Sequence, residues 1–295
     1  MGVKHKKIEL LDIVAIGAIS LMAVFCVVPF WLVLVNSVTP EQTIIENGYQ
    51  FFTAKIDLSA YKNLLSNSGR VLQAYKVTVF VTVTGTVLSL LAIGMAAYPL
   101  ARKDLPGRKI MNFYVLLTMI FSGGMVPGFI VCRNVLGLKD SIWALILPQL
   151  VSAWNIFLVR NYYRSIPEEI IESAKIDGAR EFTIWRKLVL PLSKPVFASV
   201  ALFICLGYWN DWWLGLMLVD KQELQPLQLM LRSITSNIQF LLTVDSSVAT
   251  QFGDVIPSEG IKMATCIVTI GPILLVYPFV QKYFVKGIMA GSVKG

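Results

Sequence analysis

Two stretches of this chain concentrate the residues able to do chemistry. The first is Tyr208-Trp209-Asn210-Asp211-Trp212-Trp213. Its aromatic faces can stack on CH-rich surfaces, and Asn210 and Asp211 add planar hydrogen-bonding groups. The second runs from Pro167 to Pro191 and reads PEEIIESAKIDGAREFTIWRKLVLP. It is polar, helical in pattern and hinged at Gly178. Catalytic sets are missing from both. The single histidine, His5, lies in the N-terminal tail. No GxxxxGK[ST] loop occurs, so P-loop binding of ATP is excluded. Neither a nucleophile elbow nor a His/Glu/Cys constellation appears, and an enzyme is a poor reading.

The elements that must carry these stretches are membrane spans. The chain is 56% hydrophobic and only 15% charged, against about 25% charged residues in soluble domains. The apolar excess falls in long blocks, which reads as an all-α integral membrane protein. Six spans are expected, at 11–34, 77–101, 110–132, 141–159, 188–219 and 261–285, in a single domain covering 1–295. Each is long enough to cross a hydrocarbon core of about 30 Å at 1.5 Å per residue. The fifth is over-long, and its first turns, at the LPLSKP sequence, are expected to lie along the interface. The N-terminal apolar run is too long for a signal peptide and is read as a retained first span.

Charge sets the orientation. With the N-terminus inside, 16 of the 26 Lys and Arg fall on inner segments and 8 on outer ones, while Lys194 and Lys262 lie near span ends. That bias places both termini in the cytoplasm. The net charge of +8 therefore reflects membrane topology, and no basic stripe for nucleic acid is present. Cys26, Cys132, Cys205 and Cys266 are scattered through apolar segments and read as small hydrophobes rather than ligands or disulfide partners. Two long outer segments remain, 36–76 and 220–260.

The inner loop, 160–187, should form two short helices. Ser165 and Glu168 have the spacing of a capping box, and Pro167 suits a first helical turn. Ile166, Ile170 and Ala174 recur every four residues and are expected to share a face. Gly178 stands where a glycine ends a helix in the left-handed conformation. A second stretch carries Phe182, Trp185 and Val189 on one side, and Leu190-Pro191 stops it. Such a pair could seat in a groove on a soluble partner, or lie on the membrane surface. The residues alone leave both open.

The run Glu172-Ser173-Ala174, then Gly178 after three residues, then Leu188-Val189-Leu190-Pro191 after nine, resembles the EAA loop of ABC importer permeases. The family pattern is E-A-A, G and I-x-L-P, so this chain departs at Ser173 and Leu188. Asp177 is also common in these loops. GYWNDWWLGLMLV at 207–219, LQPLQLMLRSI at 224–234 and the ending YPFVQKYFVKGIMAGSVKG are similar to carbohydrate-uptake permeases of the maltose-importer type. The likeness is nearest to the branch importing oligomers of plant or algal polysaccharides.

That resemblance implies a permease subunit of the bacterial cytoplasmic membrane with no cofactor of its own. ATP-Mg would act on two cytoplasmic ABC ATPase subunits. A second homologous permease, usually non-identical, an extracytoplasmic solute-binding protein and an oligosaccharide complete the expected partners. Pro167, Glu168, Glu172, Ser173, Ala174, Asp177, Gly178, Leu190 and Pro191 would carry the coupling, and ATP-driven alternating access would follow. A pyranose has CH-rich faces and a hydroxyl rim, so Tyr208, Trp209, Asn210, Asp211 and Trp212 are candidate pathway residues; an interfacial aromatic belt is the alternative. Gly123 and Pro127, in the break Phe121-Ser122-Gly123-Gly124-Met125-Val126-Pro127, could line or gate the pathway, or simply kink a packed helix. Gly85 and Gly94 suit close helix packing. A stand-alone channel or secondary transporter would need mid-membrane coupling carboxylates and inverted halves, and neither is legible. A peptide or amino-acid cargo is opposed only by the resemblance.

Overall fold

The computed structural model describes residues 10–66, 68–243, 259–272 and 274. Among them all regular structure is helical. Two compact units form, one from the chain up to Ser68 with the segment Thr235–Gly271, the other from Gly69–Ile234.

In the first unit, α1 (Leu10–Ser37) is apolar all round and carries Pro29 inside it. Only 6% of its most apolar window is buried by this chain, so its surface is left for lipid or a partner. Its C-terminal end is pinned. Asn36 Nδ2 donates to the carbonyls of Leu32 (2.7 Å) and Gln50 (2.9 Å), and Asn36 Oδ1 accepts from Gln50 N at 2.9 Å. Two short helices follow, α2 (Glu41–Asn47) and α3 (Ser59–Ser66). Residues 259–272 are also helical. The Glu41 carboxylate caps the start of that helix, accepting from Glu259 N (3.0 Å) and Gly260 N (2.8 Å).

The second unit is built on α4 (Ser68–Ala101), 34 residues long. At 1.5 Å per residue it outruns a hydrocarbon core of about 30 Å, so it starts well before the expected boundary at 77. The next three spans are bent. The third joins α5 (Arg108–Ile120) to α6 (Met125–Ile130), with a wide turn continuing to Val135, at 109°. Gly124, at φ +85°, provides the corner, as the Gly-Gly-Pro interruption led one to expect. The fourth is not one helix. Two tight turns, Ile142–Leu145 and Leu147–Gln149, precede α7 (Ala153–Tyr163) at 52°. Pro148 cannot donate there, and Ser152 restarts the helix by accepting from Asn155 N.

After the loop helix α8 (Glu168–Ile176), the fifth begins with α9 (Glu181–Ile184), a wide turn through Trp185–Val189 and α10 (Leu190–Leu192). It then turns 80° into α11 (Lys194–Asn210). The break falls within the LPLSKP sequence, at Ser193. A second break at Asp211 leads to α12 (Trp213–Leu218). The segments read as outer loops contain helices instead: α2, α3, the first turns of α4, and α13 (Leu227–Thr243). Of the sixth expected span, 261–285, residues 273 and 275–285 lie outside the described residues, as does the C-terminal signature sequence.

Close approach of α4 and α11 sets the core of this unit. A Cβ on Gly85 would meet the Tyr208 ring at 2.5 Å, and one on Gly94 would meet Phe197 at 2.8 Å. Both glycines therefore serve packing. Gly85→Ala should destabilise the purified chain by about 1–3 kcal/mol, a usual overpacking cost. In a Tyr208→Leu background the same change should be nearly neutral. Thermal unfolding of the four members of that cycle in detergent measures the coupling; equal losses in both backgrounds would refute the contact.

Candidate functional site

The polar segment after α7 folds differently at its two ends. At its start the expected capping box does not form. Ser165 Oγ donates back to the Tyr162 carbonyl (2.7 Å), and Glu168 faces Lys103 Nζ at 2.6 Å. Pro167 is the cap residue itself, held extended at φ −54° and ψ 133°, one position before the first helical turn. Proline also holds Ile166 extended, which keeps the Ser165 hydroxyl away from the first free N–H groups. Glu168 and Glu169 in the first turn favour the helix dipole instead.

At its far end α8 stops as expected. Gly178 sits at φ +78°, its N–H donates to Lys175 O (3.0 Å), and Ala179 N donates to Ala174 O (3.0 Å). This pair of bonds is a complete Schellman motif, with Asp177 as the cap residue. A Cβ at Gly178 would touch nothing within 4 Å, so backbone conformation alone demands glycine here. The buried face corrects the expected one. Ile171 and Ala174 are buried, Ile166 is half-buried, and Ile170 is 39% exposed. Glu172 and Ser173 point outward, and so do two apolar side chains, Ile176 (86% exposed) and Phe182 (62%). Leu190 is half-buried and Pro191 exposed at the turn into the span.

Ion pairs and aromatics fasten these helices to their neighbours. Lys175 Nζ lies 3.0 Å from Asp104 and 2.9 Å from Glu181, and Arg102 adds a contact to Asp104 at 3.3 Å. The Tyr98 hydroxyl donates to Glu181 Oε2 at 2.6 Å. Deeper, Trp185 Nε1 donates to the Tyr163 hydroxyl (3.2 Å), which donates to the Gly94 carbonyl (3.4 Å). The hydrogen bond from Lys175 holds Asp104 below the usual carboxylate range, and Lys103 does the same for Glu168. Burial pushes Glu181 up, but Tyr98 and Lys175 outweigh it and its net shift is down. Lys175 is raised, first by Glu181 and then by Asp104. Two clefts flank this strap. One, of about 430 Å³, is lined by Met95, Tyr98, Phe182 and Trp185. The other, of about 630 Å³, is lined by Arg102, Lys103, Arg164, Pro167 and Glu168.

The aromatic stretch at the end of α11 is divided by its packing. Tyr208 and Trp209 are buried in this chain's own core. The Tyr208 hydroxyl contacts Ser89 Oγ (3.2 Å) and donates to Ile146 O (3.0 Å), while Trp209 packs with Ala74, Leu227 and Leu231. Their faces are taken, against the expectation that they line a pathway. Asp211 spends its carboxylate on capping α12, accepting from Trp213 N (3.2 Å) and Leu214 N (3.4 Å). Asn210 is exposed and accepts from Gln228 Nε2 at 3.2 Å. The Arg232 guanidinium lies 3.6 Å from the Trp212 ring centre, and Trp213 stands edge-on to Trp212 at 5.4 Å. Gly123 and Pro127 meet this group only through Trp213, with which, and with Pro148, they line a cleft of about 600 Å³.

Sequence reasoning missed several of these residues. Lys103 and Lys175 counted only toward the inner-segment charge, and Asp104 was not singled out. Asp140 is the clearest case. It sits at φ +56° and its Oδ1 accepts from Asp220 N (2.7 Å) and Lys221 N (3.0 Å), locking the end of α12. Those two N–H groups hold its carboxylate below the usual range. No local pattern marks it. Gln228 and Arg232, four apart on α13, carried a helical signal that the search for long apolar blocks passed over.

The model of binding-protein-dependent transport system inner membrane components matches residues 80–290. The polygalacturonan/rhamnogalacturonan transport system permease protein YtcP of Bacillus subtilis (strain 168) is 39% identical over 292 residues, covering 98% of this chain and 100% of the relative. The arabinooligosaccharides transport system permease protein AraQ of Halalkalibacterium halodurans is 30% identical over 99% of this chain and 100% of its own length. Among solved structures, a bacterial ABC transporter involved in the import of the acidic polysaccharide alginate has a chain that superposes with a TM-score of 0.82. That chain is 30% identical, and the match covers 96% of this chain and 100% of the other. A family match over most of the chain, with relatives aligned end to end, makes this protein a member of the binding-protein-dependent transport system inner membrane components, the permeases of ABC importers.

Proposed function

We propose that this chain is the membrane permease subunit of an ATP-driven importer for oligosaccharides, and that α8 and α9 receive the stroke of a separate cytoplasmic ATPase. The observation that carries the reading is the build of α8. It is a short helix, rigidly capped and strapped, that turns Ile170 and Ile176 outward from a charged segment, with Phe182 of α9 exposed beside them. A partner's groove would cover those side chains. The reading is completed by six spans in one domain, both termini in the cytoplasm, a second permease, two ATPase subunits and an extracytoplasmic binding protein, and family membership supports it. The names of the relatives favour acidic polysaccharide fragments as cargo, since polygalacturonan and alginate are polyuronates.

In the working cycle ATP closes the two ATPase subunits, α8 follows, and the bent spans swing to open the pathway outward. Hydrolysis returns it inward. This chain supplies rigid rods and a docking helix, and the partner supplies the chemistry. The isolated chain is accordingly expected to show no ATP hydrolysis.

Gly178 offers the sharpest test. A β-branched residue at its left-handed conformation costs about 1–2 kcal/mol, whereas asparagine tolerates it. Gly178→Val should leave insertion and assembly intact, keep ATP hydrolysis by the reconstituted complex, and lower uptake at least tenfold. Gly178→Asn should remain near wild type. Normal uptake by the valine variant would remove α8 from the coupling path.

The strap predicts a pH dependence. Asp104 and Glu181 titrate below their ordinary values in the folded chain. Their contribution is therefore present above the ordinary carboxylate range and is lost as pH falls through the lowered values, below about 4. Lys175 is raised, so its contribution is complete at neutral pH. Exposed pairs of this kind contribute about 0.2–1 kcal/mol. Amide exchange across 101–106 and 168–181, corrected for intrinsic rates, should speed up a few-fold on acidification. Lys175→Met should show the faster exchange already at pH 7 and no acid step, and a step that persists in that variant would discount the strap.

A further inference from the structure

The break between α11 and α12 is crossed by one face of α13. Leu227 N donates to Thr78 Oγ1 (2.8 Å), and Leu227 and Leu231 pack on Ala74 and Trp209, so α13 is anchored to α4 at this point. Gln228 and Arg232, four residues apart, lie on one side of it. They meet the two residues that flank Asp211: Gln228 bonds Asn210, and Arg232 covers Trp212. The core contacts of Leu227 and Leu231 already secure the helix, so this polar pair is free for other work.

We infer that Arg232, held on Trp212 beside Asn210 and Gln228, reads the carboxylate of an acidic sugar unit as it passes this chain. At 3.6 Å from the ring centre only face-to-face stacking fits, because an edge-on guanidinium would collide with the indole. Stacking fixes the plane of the guanidinium and leaves its N–H edges clear of the ring. That fork matches a carboxylate in bidentate fashion. Among the described residues Arg232 makes no ion pair, and its side chain is exposed. A lone cation next to a span is tolerated where it faces water or a partner charge. Beside it, Asn210 Nδ2 also donates to Leu206 O at 3.0 Å, which leaves that amide one N–H and one lone pair, and Gln228 keeps its carbonyl oxygen and one N–H for ring hydroxyls. Carboxylate and hydroxyl rim are the two polar features of a hexuronate unit, and this cluster offers a partner for each. An acidic side chain of the binding protein would use the arginine but not the amides.

This assignment rests on the importer reading above and refines its cargo. The test uses the whole reconstituted transporter in liposomes, with its binding protein, and measures uptake of trigalacturonate and of its carboxyl-reduced neutral counterpart. Wild type should prefer the acidic trimer, and rising salt should erode that preference. Arg232→Gln should lower uptake of the acidic trimer at least tenfold more than that of the neutral one. Arg232→Lys, which keeps the charge and loses the fork, should fall between. Equal losses on both trimers would mean a clamp or a binding-protein contact and overturn the assignment, as would an unchanged ratio. A wild-type complex that carries only the neutral trimer defeats this inference and leaves the importer reading standing. One that carries neither, while its ATPase responds to another solute, defeats both.

Discussion

A backbone that bends at membrane depth must satisfy its own polar groups, because lipid offers none. Three apolar segments of this chain bend, and polar side chains take up freed N–H groups at two of those bends and at the further break at Asp211. Ser122 accepts from Gly124 N at the corner of the third span (3.2 Å). Ser152 accepts from Asn155 N at the restart of the fourth. Asp211 takes two N–H groups at the upper break of the fifth. The composition allowed few polar residues in these blocks, and several of them serve the joints. Each joint separates stiff segments, which sets a series of shorter rods beside the long helices α1 and α4.

Those rods are coupled by contact. The buried cluster that contains Ile171 and Ala174 of α8 and Trp185 after α9 also contains Tyr163, Val200 and Tyr208. Gly85 and Gly94 bring α4 within touching distance of α11, so neither helix can slide without the other. Close-packed interiors transmit displacement instead of absorbing it. A push on α8 therefore has a route of direct contacts to Tyr208, three residues below the Asp211 joint. The Trp185–Tyr163–Gly94 hydrogen bonds run along the same route.

How much of this was legible depended on whether the signal was local. Apolar length located α1 and α4, Gly-Gly-Pro located the third-span corner, and Gly178 was identifiable because a left-handed cap needs glycine. The capping box misled because Pro167, two residues past Ser165, redirects the chain before the helix begins. The face of α8 was misassigned because Ile166 precedes the helix and has no helical phase; Ile171 and Ala174, three apart, are the inward pair. Tyr208 and Trp209 looked available because nothing in the sequence says that Gly85 faces the one and α13 the other. For α13 the pattern was present: Leu227, Met230, Leu231 and Ile234 follow helical spacing, but a segment too polar to span drew no helical reading.

The exposed apolar residues bear on what α8 touches. Apolar surface on α1 is explained by lipid, since that helix has the length and hydropathy to span. Ile176 and Phe182 are different. They stand among Glu172, Asp177, Arg180 and Glu181, a density of charge that cannot enter hydrocarbon. Lying flat on the membrane would bury them, but basic residues around the apolar face are what favour an anionic leaflet. Here the charge is mixed: Glu172, Asp177 and Glu181 alternate with Lys175, Arg180, Arg186 and Lys187, and Lys175 is already paired with Asp104 and Glu181. The apolar pair therefore lacks the uniformly basic rim of a membrane-surface helix, and a partner's groove with both signs of charge on its walls suits it better.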